Sequence, residues 1–196
     1  MYSPHGYFPQ SELRRFPTLE TPPNPLNATL RVERPEDRDF LAHLYATTRE
    51  QEMAAAPWTP EEKKAFLLSQ FEFQTTHYRR HYHDAEFLIV EKDSVPIGRI
   101  YLHRGEAGFE LMDIAFLPER RGSGAGTAFL LQILDEARAA VQPVLLYVEI
   151  FNRAQNLYAR LGFRPTGEEG VYLKMQWLPE PLRAAETPES GNQTDD

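Results

Sequence analysis

Apolar residues alternate with polar ones in some stretches of the chain and recur every three or four residues in others. That switch of period predicts the elements. Ala28–Glu33 (ATLRVE) alternates enough for a first strand. Pro35 can open a helix at its first position, with Glu36 and Asp37 complementing the helix dipole. Phe40, Leu41, Leu44, Tyr45 and Thr48 recur at helical spacing and give that helix one buried face. After a break around Ala54–Pro57, Thr59-Pro60-Glu61-Glu62 forms a capping box with proline at the first helical position. The helix it starts is predicted to run to about His81. Its apolar stripe is Leu67, Phe71 and Tyr78, and Gln70, Gln74, His77 and His81 form a neighbouring polar face.

Glu86–Glu91 and Pro96–His103 are two short β-rich runs joined by a turn and predict a hairpin. Gly108–Leu117 adds a third strand, ended by Pro118, and Thr127 to about Ala140 is a helix buried along Leu130, Ile133, Leu134, Ala137 and Val141. Val144–Ile150 is apolar on both faces, as a central strand covered by helices should be. Asn152–Leu161 fits a short helix that Gly162 can end in the left-handed conformation. Phe163–Thr166 and Val171–Trp177 close the chain's regular part as two strands. The order β-α-α-β-β-β-α-β-α-β-β indicates a mixed α/β sandwich.

Composition narrows this picture. A chain of 196 residues, 41% hydrophobic, fits one domain with a sizeable core. Residues 28–178 carry the periodicity. Residues 1–27 are proline-rich and residues 179–196 acidic, and both are expected to be tails outside the core, the second disordered. Tyr2, Tyr7 and Phe8 leave two arrangements open for the first tail: packing on the domain, or on a partner subunit of a homodimer. No apolar run approaches the length of a membrane span, and the start lacks the basic and apolar regions of a secretory signal. The absence of cysteine excludes disulfides and thiolate chemistry. A cytoplasmic protein is the expectation.

The net charge is −8, and the acidic tail carries much of it. Nothing resembles the basic face that nucleic-acid binding requires, so neither nucleic acid nor membrane is expected as a partner. His77, His81 and His83 raise the question of a metal site. Arg79 and Arg80 repel cations there and no acidic ligand stands at a known spacing, so a polar helix face is the better reading and no metal is expected.

The stretch with chemistry in it is Phe109–Thr127: a strand, a proline stop, Arg120 and Arg121, then Gly122, Gly124 and Gly126 before a helix. Glycines allow a ligand close to the backbone, and the amides and dipole of the helix start favour an anion. A P-loop would need Lys-Ser/Thr after its last glycine, and Thr127-Ala128 stands there instead. The dinucleotide spacing G-x-G-x-x-G/A fails from Gly122 and from Gly124, whose sixth residues are Thr127 and Phe129.

What fits is Arg-x-x-Gly-x-Gly at Arg121, Gly124 and Gly126. With Asn152-Arg-Ala-Gln-Asn-Leu-Tyr158-Ala-Arg-Leu-Gly162-Phe163 one helix and one strand later, the chain resembles the GNAT superfamily of acyl-CoA-dependent N-acetyltransferases over about residues 28–178. The resemblance implies a mainly antiparallel α/β sheet of about six or seven strands, splayed between two central parallel strands and flanked by about four helices. It implies acetyl-CoA as cosubstrate and a small-molecule or peptide amine as acceptor. The pantetheine arm would lie along Ile114, Ala115 and Phe116. The pyrophosphate would lie on the backbone of Arg121, Gly122, Gly124, Ala125, Gly126 and Thr127, while Arg120 either reaches the 3′-phosphate or is solvated. Tyr158 matches the family's general acid, and Asn152, with Asn156 as a substitute, the residue that fixes the arm.

For the base, Glu110 and Asp113 lie on the candidate strand, followed by Glu149 on the facing one. Glu110 and Asp113 have opposite parity and would face opposite sides of a regular strand. By position in the family, the acceptor site points at Arg49, Glu50, Trp58, Gln70, Gln74 and Tyr78. A different class of function on the same fold, an acyl-CoA-binding sensor or interaction module without catalysis, is the alternative to an enzyme.

Overall fold

A computed structural model describes residues 27–186, and the expected order of strands and helices holds. Strand β1 (Thr29–Val32) leads through a turn at Pro35–Asp37 into α1 (Arg38–Thr48), whose Leu41, Leu44 and Tyr45 are buried. A short α2 (Glu50–Ala54) precedes α3 (Pro60–His81). Both halves of the predicted capping box are made at the start of α3: Glu62 N–H donates to Thr59 Oγ1 at 3.3 Å, and Thr59 N–H to Glu62 Oε2 at 2.8 Å. Then follow β2 (Glu86–Lys92), β3 (Val95–Gly105), β4 (Gly108–Phe116), α4 (Ala125–Ala140), β5 (Val144–Glu149), α5 (Ala154–Arg160), β6 (Arg164–Glu169), β7 (Tyr172–Trp177) and α6 (Glu180–Glu186).

The seven strands form one sheet in the order β1-β2-β3-β4-β5-β7-β6, antiparallel throughout except for the parallel pair β4–β5. Helix α4 covers one face. Its Phe129, Leu130, Ile133, Leu134 and Ala137 pack with Ile100, Leu102, Phe109, Leu111, Val144, Leu146 and Val148 in the main core, which Tyr158, Phe163, Met175 and Trp177 extend. Helices α1 and α3 cover the other face of the first strands around Leu41, Tyr45, Phe71 and Ile89.

Close approach at the end of β4 depends on one glycine. A Cβ at Gly98 would lie 2.6 Å from Ala115 O and 2.8 Å from the Phe116 ring. Gly108, with φ +141°, likewise leaves no room for a Cβ against Pro143 O at 2.8 Å.

Two features differ from expectation. Among the described residues six α-helices form rather than about four, because α2 and α6 are short segments with no long apolar stripe to announce them. Glu180–Glu186, expected within a disordered tail, are helical as α6. Buried Pro179 starts the turn, Leu182 N–H and Arg183 N–H bond Pro179 O at 3.1 Å, and Arg183 Nη2 donates to Leu178 O at 2.7 Å. The expectations for residues 1–26 and 187–196 lie outside the described residues.

Candidate active site

Strands β4 and β5 pair over only three residues, Phe109↔Val144, Glu110↔Leu145 and Leu111↔Leu146, and then part. A β-bulge sits at the parting. Across β3, Tyr101 faces Asp113 and Leu102 faces Leu111, so Met112 is an extra residue without a partner. An extra residue bends its strand and increases its twist, which turns the end of β4 away from β5. The β5-facing edge of β4 beyond Leu111 therefore makes no ladder, and it contains Ile114, Ala115 and Phe116.

The bulge also overturns the parity argument. Tyr101 and His103 lie two apart on regular β3, and their partners are Asp113 and Glu110. Glu110 and Asp113 consequently share the α3 face, while Phe109, Leu111, Ile114 and Phe116 share the core face of α4. Glu110 accepts a hydrogen bond from Tyr82 Oη at 2.9 Å. Asp113 is paired with Arg99, a guanidinium only 2% exposed that also donates to Gln74 Oε1 at 3.0 Å and lies 4.8 Å from the centre of the Tyr101 ring. Burial alone would push Arg99 down, but Asp113 reverses this and holds it above its ordinary value. Its Nε and Nη1 are buried without a hydrogen-bond partner among the described residues.

At the exit of β4, Pro118–Arg120 make a single turn and the chain enters the glycine loop. Gly122 and Gly124 both have positive φ, +73° and +85°, and Gly124 is the cap of α4. The first helical bond is Ala128 N–H to Gly124 O at 3.0 Å, so the amides of Gly126 and Thr127 precede the ladder. Ala125 N–H rests weakly on Ser123 Oγ at 3.4 Å, and no acidic residue stands in the first turn.

Arg121 is engaged differently from expectation. Its amide is taken by Pro118 O at 3.2 Å. Its side chain donates to Phe116 O at 2.9 Å and to Thr47 Oγ1 at 2.9 Å, clipping the end of β4 to the end of α1. Arg120 Nε is buried without a hydrogen-bond partner among the described residues.

Tyr158 on α5 is buried and packs edge-on against Phe163 at 5.7 Å, and its hydroxyl has no hydrogen-bond partner among the described residues. Burial, followed by the charge of Asp113, pushes its phenol up to about 12. Asn152 Oδ1 accepts from Ala154 N–H at 2.9 Å and so serves the start of α5, while Asn156 is exposed.

The six acceptor candidates separate. Gln74 and Tyr78 lie against the sheet, Gln74 on Arg99 and Tyr78 with its hydroxyl 3.4 Å from Met112 O. Trp58 stacks on Phe66 before the far end of α3, and Gln74 lies 14 residues into that helix, about 21 Å along it. Gln70 and Glu50 are exposed, and Arg49 is tied to Glu149 on β5 and to Glu52 at 2.8 Å.

Several residues at the parting were not expected: Arg99, Tyr82, Gln155, Tyr147 and Tyr172. Gln155 Nε2 bonds Glu149 O at 2.9 Å and Ile150 O at 2.6 Å, securing the free end of β5. Arg99 had a signal, since it is a lone charge inside the apolar run PIGRIYLH.

The model of the Acetyltransferase (GNAT) family matches residues 41–163. Among solved structures, a PaiA N-acetyltransferase from Thermoplasma acidophilum in complex with coenzyme A is similar. It has TM-score 0.60 and 20% identity, over 77% of this chain and 98% of that one. Spermidine N-acetyltransferase from Vibrio cholerae, in complex with CoA and spermine, has TM-score 0.53 and 22% identity over 77% of this chain and 95% of that one. PH1933 from Pyrococcus horikoshii has TM-score 0.60 and 15% identity over 78% and 99%. A search of curated protein sequences finds no match. No helix among the described residues is long and apolar enough to cross a membrane.

Proposed function

The chain belongs to the GNAT family of acetyltransferases, and from that membership we propose that it moves an acetyl group from acetyl-CoA to a primary amine. The observation that carries the reading is the parting of β4 from β5 after Leu111 and Leu146, with a glycine-capped helix beyond it. The residues present fit the donor. Space around Gly122 is open, with no atom within 4 Å of a Cβ there, and Gly124 caps α4 in the left-handed conformation. The amides of Gly122, Gly124, Ala125, Gly126 and Thr127, with the dipole of α4, would hold the phosphates. The free edge at Ile114, Ala115 and Phe116 would take the pantetheine arm as an added strand.

When bound, acetyl-CoA supplies an acyl group activated as a thioester. The chain's own residues manage protons and position. Glu110, half-buried and held at one oxygen by Tyr82, takes the proton of the incoming ammonium, directly or through one water. Tyr158 keeps its proton through the neutral range, because burial and Asp113 hold it at about 12. An ordinary thiol ionises near 8.5, so complete proton transfer from this phenol to the departing sulfur is uphill by about 3.5 units. Tyr158 acts mainly by donating a hydrogen bond to the sulfur as charge develops there.

Thiol release from acetyl-CoA across a panel of amines tests the proposal. Release above hydrolysis with at least one amine is expected, together with a fall in kcat of about 100-fold in Tyr158→Phe and loss of CoA binding in Gly124→Trp. Tight CoA binding with no amine-dependent release would refute it.

A further inference from the structure

The α3 face of the cleft holds four tyrosines, of which the reaction above uses only Tyr82, as the partner of Glu110. Tyr78 and Tyr82 come from α3, with ring centres 6.4 Å apart and nearly perpendicular. Tyr147 of β5 and Tyr172 of β7 come from the sheet. Their partners across the ladder are Lys174 and Glu149, which makes them diagonal neighbours on one face. Both pairs stand at the parting: Tyr82 bonds Glu110, which is paired with Leu145, Tyr147 is the next residue on that face of β5, and the Tyr78 hydroxyl lies 3.4 Å from Met112 O at the bulge. Tyr147 and Tyr172 remain 39% and 40% exposed, so their rings face space rather than protein. Exposed apolar side chains continue this wall outward at Ile150, Phe151 and Val171, where Ile150 N–H bonds Val171 O at 3.0 Å and joins the two turns.

The charges on the same face are nearly all answered within the protein. Asp113 is paired with Arg99, and Glu149 with Arg49. Lys174 stands opposite Tyr147 and would repel a second ammonium. His103 lies across from Glu110 but turns Nε2 to Asp84 at 3.2 Å. Glu169, across from Tyr172, is on the exposed edge strand where water and salt screen it. Inside the cleft, among the described residues, Glu110 alone has only a neutral partner, the Tyr82 hydroxyl.

Resting on the acetyltransferase reading, we propose that the acceptor is a primary amine with one positive charge and an aromatic body. The ammonium is held at Glu110 and the ring stacks among Tyr78, Tyr147 and Tyr172. Aromatic faces attract both the ring and the cation. A polyamine would need a second unanswered carboxylate at the depth of the first, and the cleft has none among the described residues.

The test compares 2-phenylethylamine with spermidine, using the full chain and acetyl-CoA. The expected kcat/KM is at least about tenfold higher for the aryl amine. Tyr172→Ala and Tyr147→Ala should each lower that ratio several-fold through KM for the aryl amine, and Tyr172→Phe should preserve it because the ring remains. The ratio is unaffected by the fraction of enzyme that folds. Equal or better use of spermidine, or an unchanged ratio in both alanine variants, overturns the aromatic-monoamine assignment and leaves the acetyltransferase reading intact. Amine-independent thiol release with every compound overturns both.

Discussion

Replacing Asp113 by Asn should unfold this protein more readily than its half-exposed position suggests. The Arg99 side chain is 2% exposed and that of Asp113 is 19% exposed, so the cation is the deeply buried partner. Removing one member of a buried pair costs about 3–5 kcal/mol, because the other charge is left without compensation. Arg99 keeps Gln74 at 3.0 Å and the Tyr101 ring at 4.8 Å, which puts the cost of Asp113→Asn at the lower end, about 3 kcal/mol. Its Nε and Nη1 have no acceptor to fall back on among the described residues. In a domain of this size such a loss lowers Tm by roughly 6–12 °C. Urea titration of the full chain measures it, and the single variants Arg99→Met and Asp113→Leu with the double variant Arg99→Met/Asp113→Leu form a separate cycle. The double variant should lie within about 1 kcal/mol of wild type, since well-packed apolar side chains can replace a buried ion pair at little cost. A cost below 1 kcal/mol for Asp113→Asn, or strictly additive effects, would refute the view that Arg99 depends on this partner.

Gly98→Ala would force a Cβ against Ala115 O and the Phe116 ring, neither of which can move without moving β4, so a loss of about 1–3 kcal/mol is expected in thermal melts. Gly122→Ala meets no atoms and should cost only its backbone strain of about 1 kcal/mol. Tyr158 has a folded value of about 12 against an unfolded value near 10. Its contribution to stability is therefore complete below pH 10 and falls as pH rises from about 10 to 12, where the unfolded chain releases the proton first. Urea midpoints at pH 9, 10 and 11 should fall more steeply for wild type than for Tyr158→Phe, and parallel curves would contradict the assignment. Arg121→Lys should break the clip between Phe116 O and Thr47, because an ammonium cannot reproduce the guanidinium fork. Faster hydrogen exchange of the amides at residues 47–49 would report it, and unchanged exchange would count against the clip.

The capping box at Thr59–Glu62 and the succession of strands and helices along the chain are legible in the sequence because each rests on local chemistry, whereas the sequence places the start of α4 at Thr127 rather than at Ala125. The contacts made across the sheet are not legible there. Parity on β4 was misread because FELMDIAF was taken as one regular strand, and only pairing with β3 reveals Met112 as the unpartnered residue. Arg121 sits in a motif that points to phosphate, yet its amide and guanidinium meet Pro118, Phe116 and Thr47, and a contact 74 residues distant leaves no local pattern. Trp58 was grouped with Tyr78 by element, which ignores the length of α3. Tyr147 and Tyr172 are ordinary alternating strand residues until the register makes them neighbours.

Omitting Met112 from β4 leaves Phe-Glu-Leu-Asp-Ile-Ala-Phe, an unbroken alternation in which every side chain keeps the face it now has. The residue is therefore not needed to sort apolar from polar, and a chain lacking it could continue the parallel ladder alongside Tyr147 and Val148. Such a chain would gain hydrogen bonds and lose the opening on which binding depends. One supernumerary methionine thus stands between a flatter, better-paired sheet and a sheet with a place to put a substrate, and selection for stability alone would discard it.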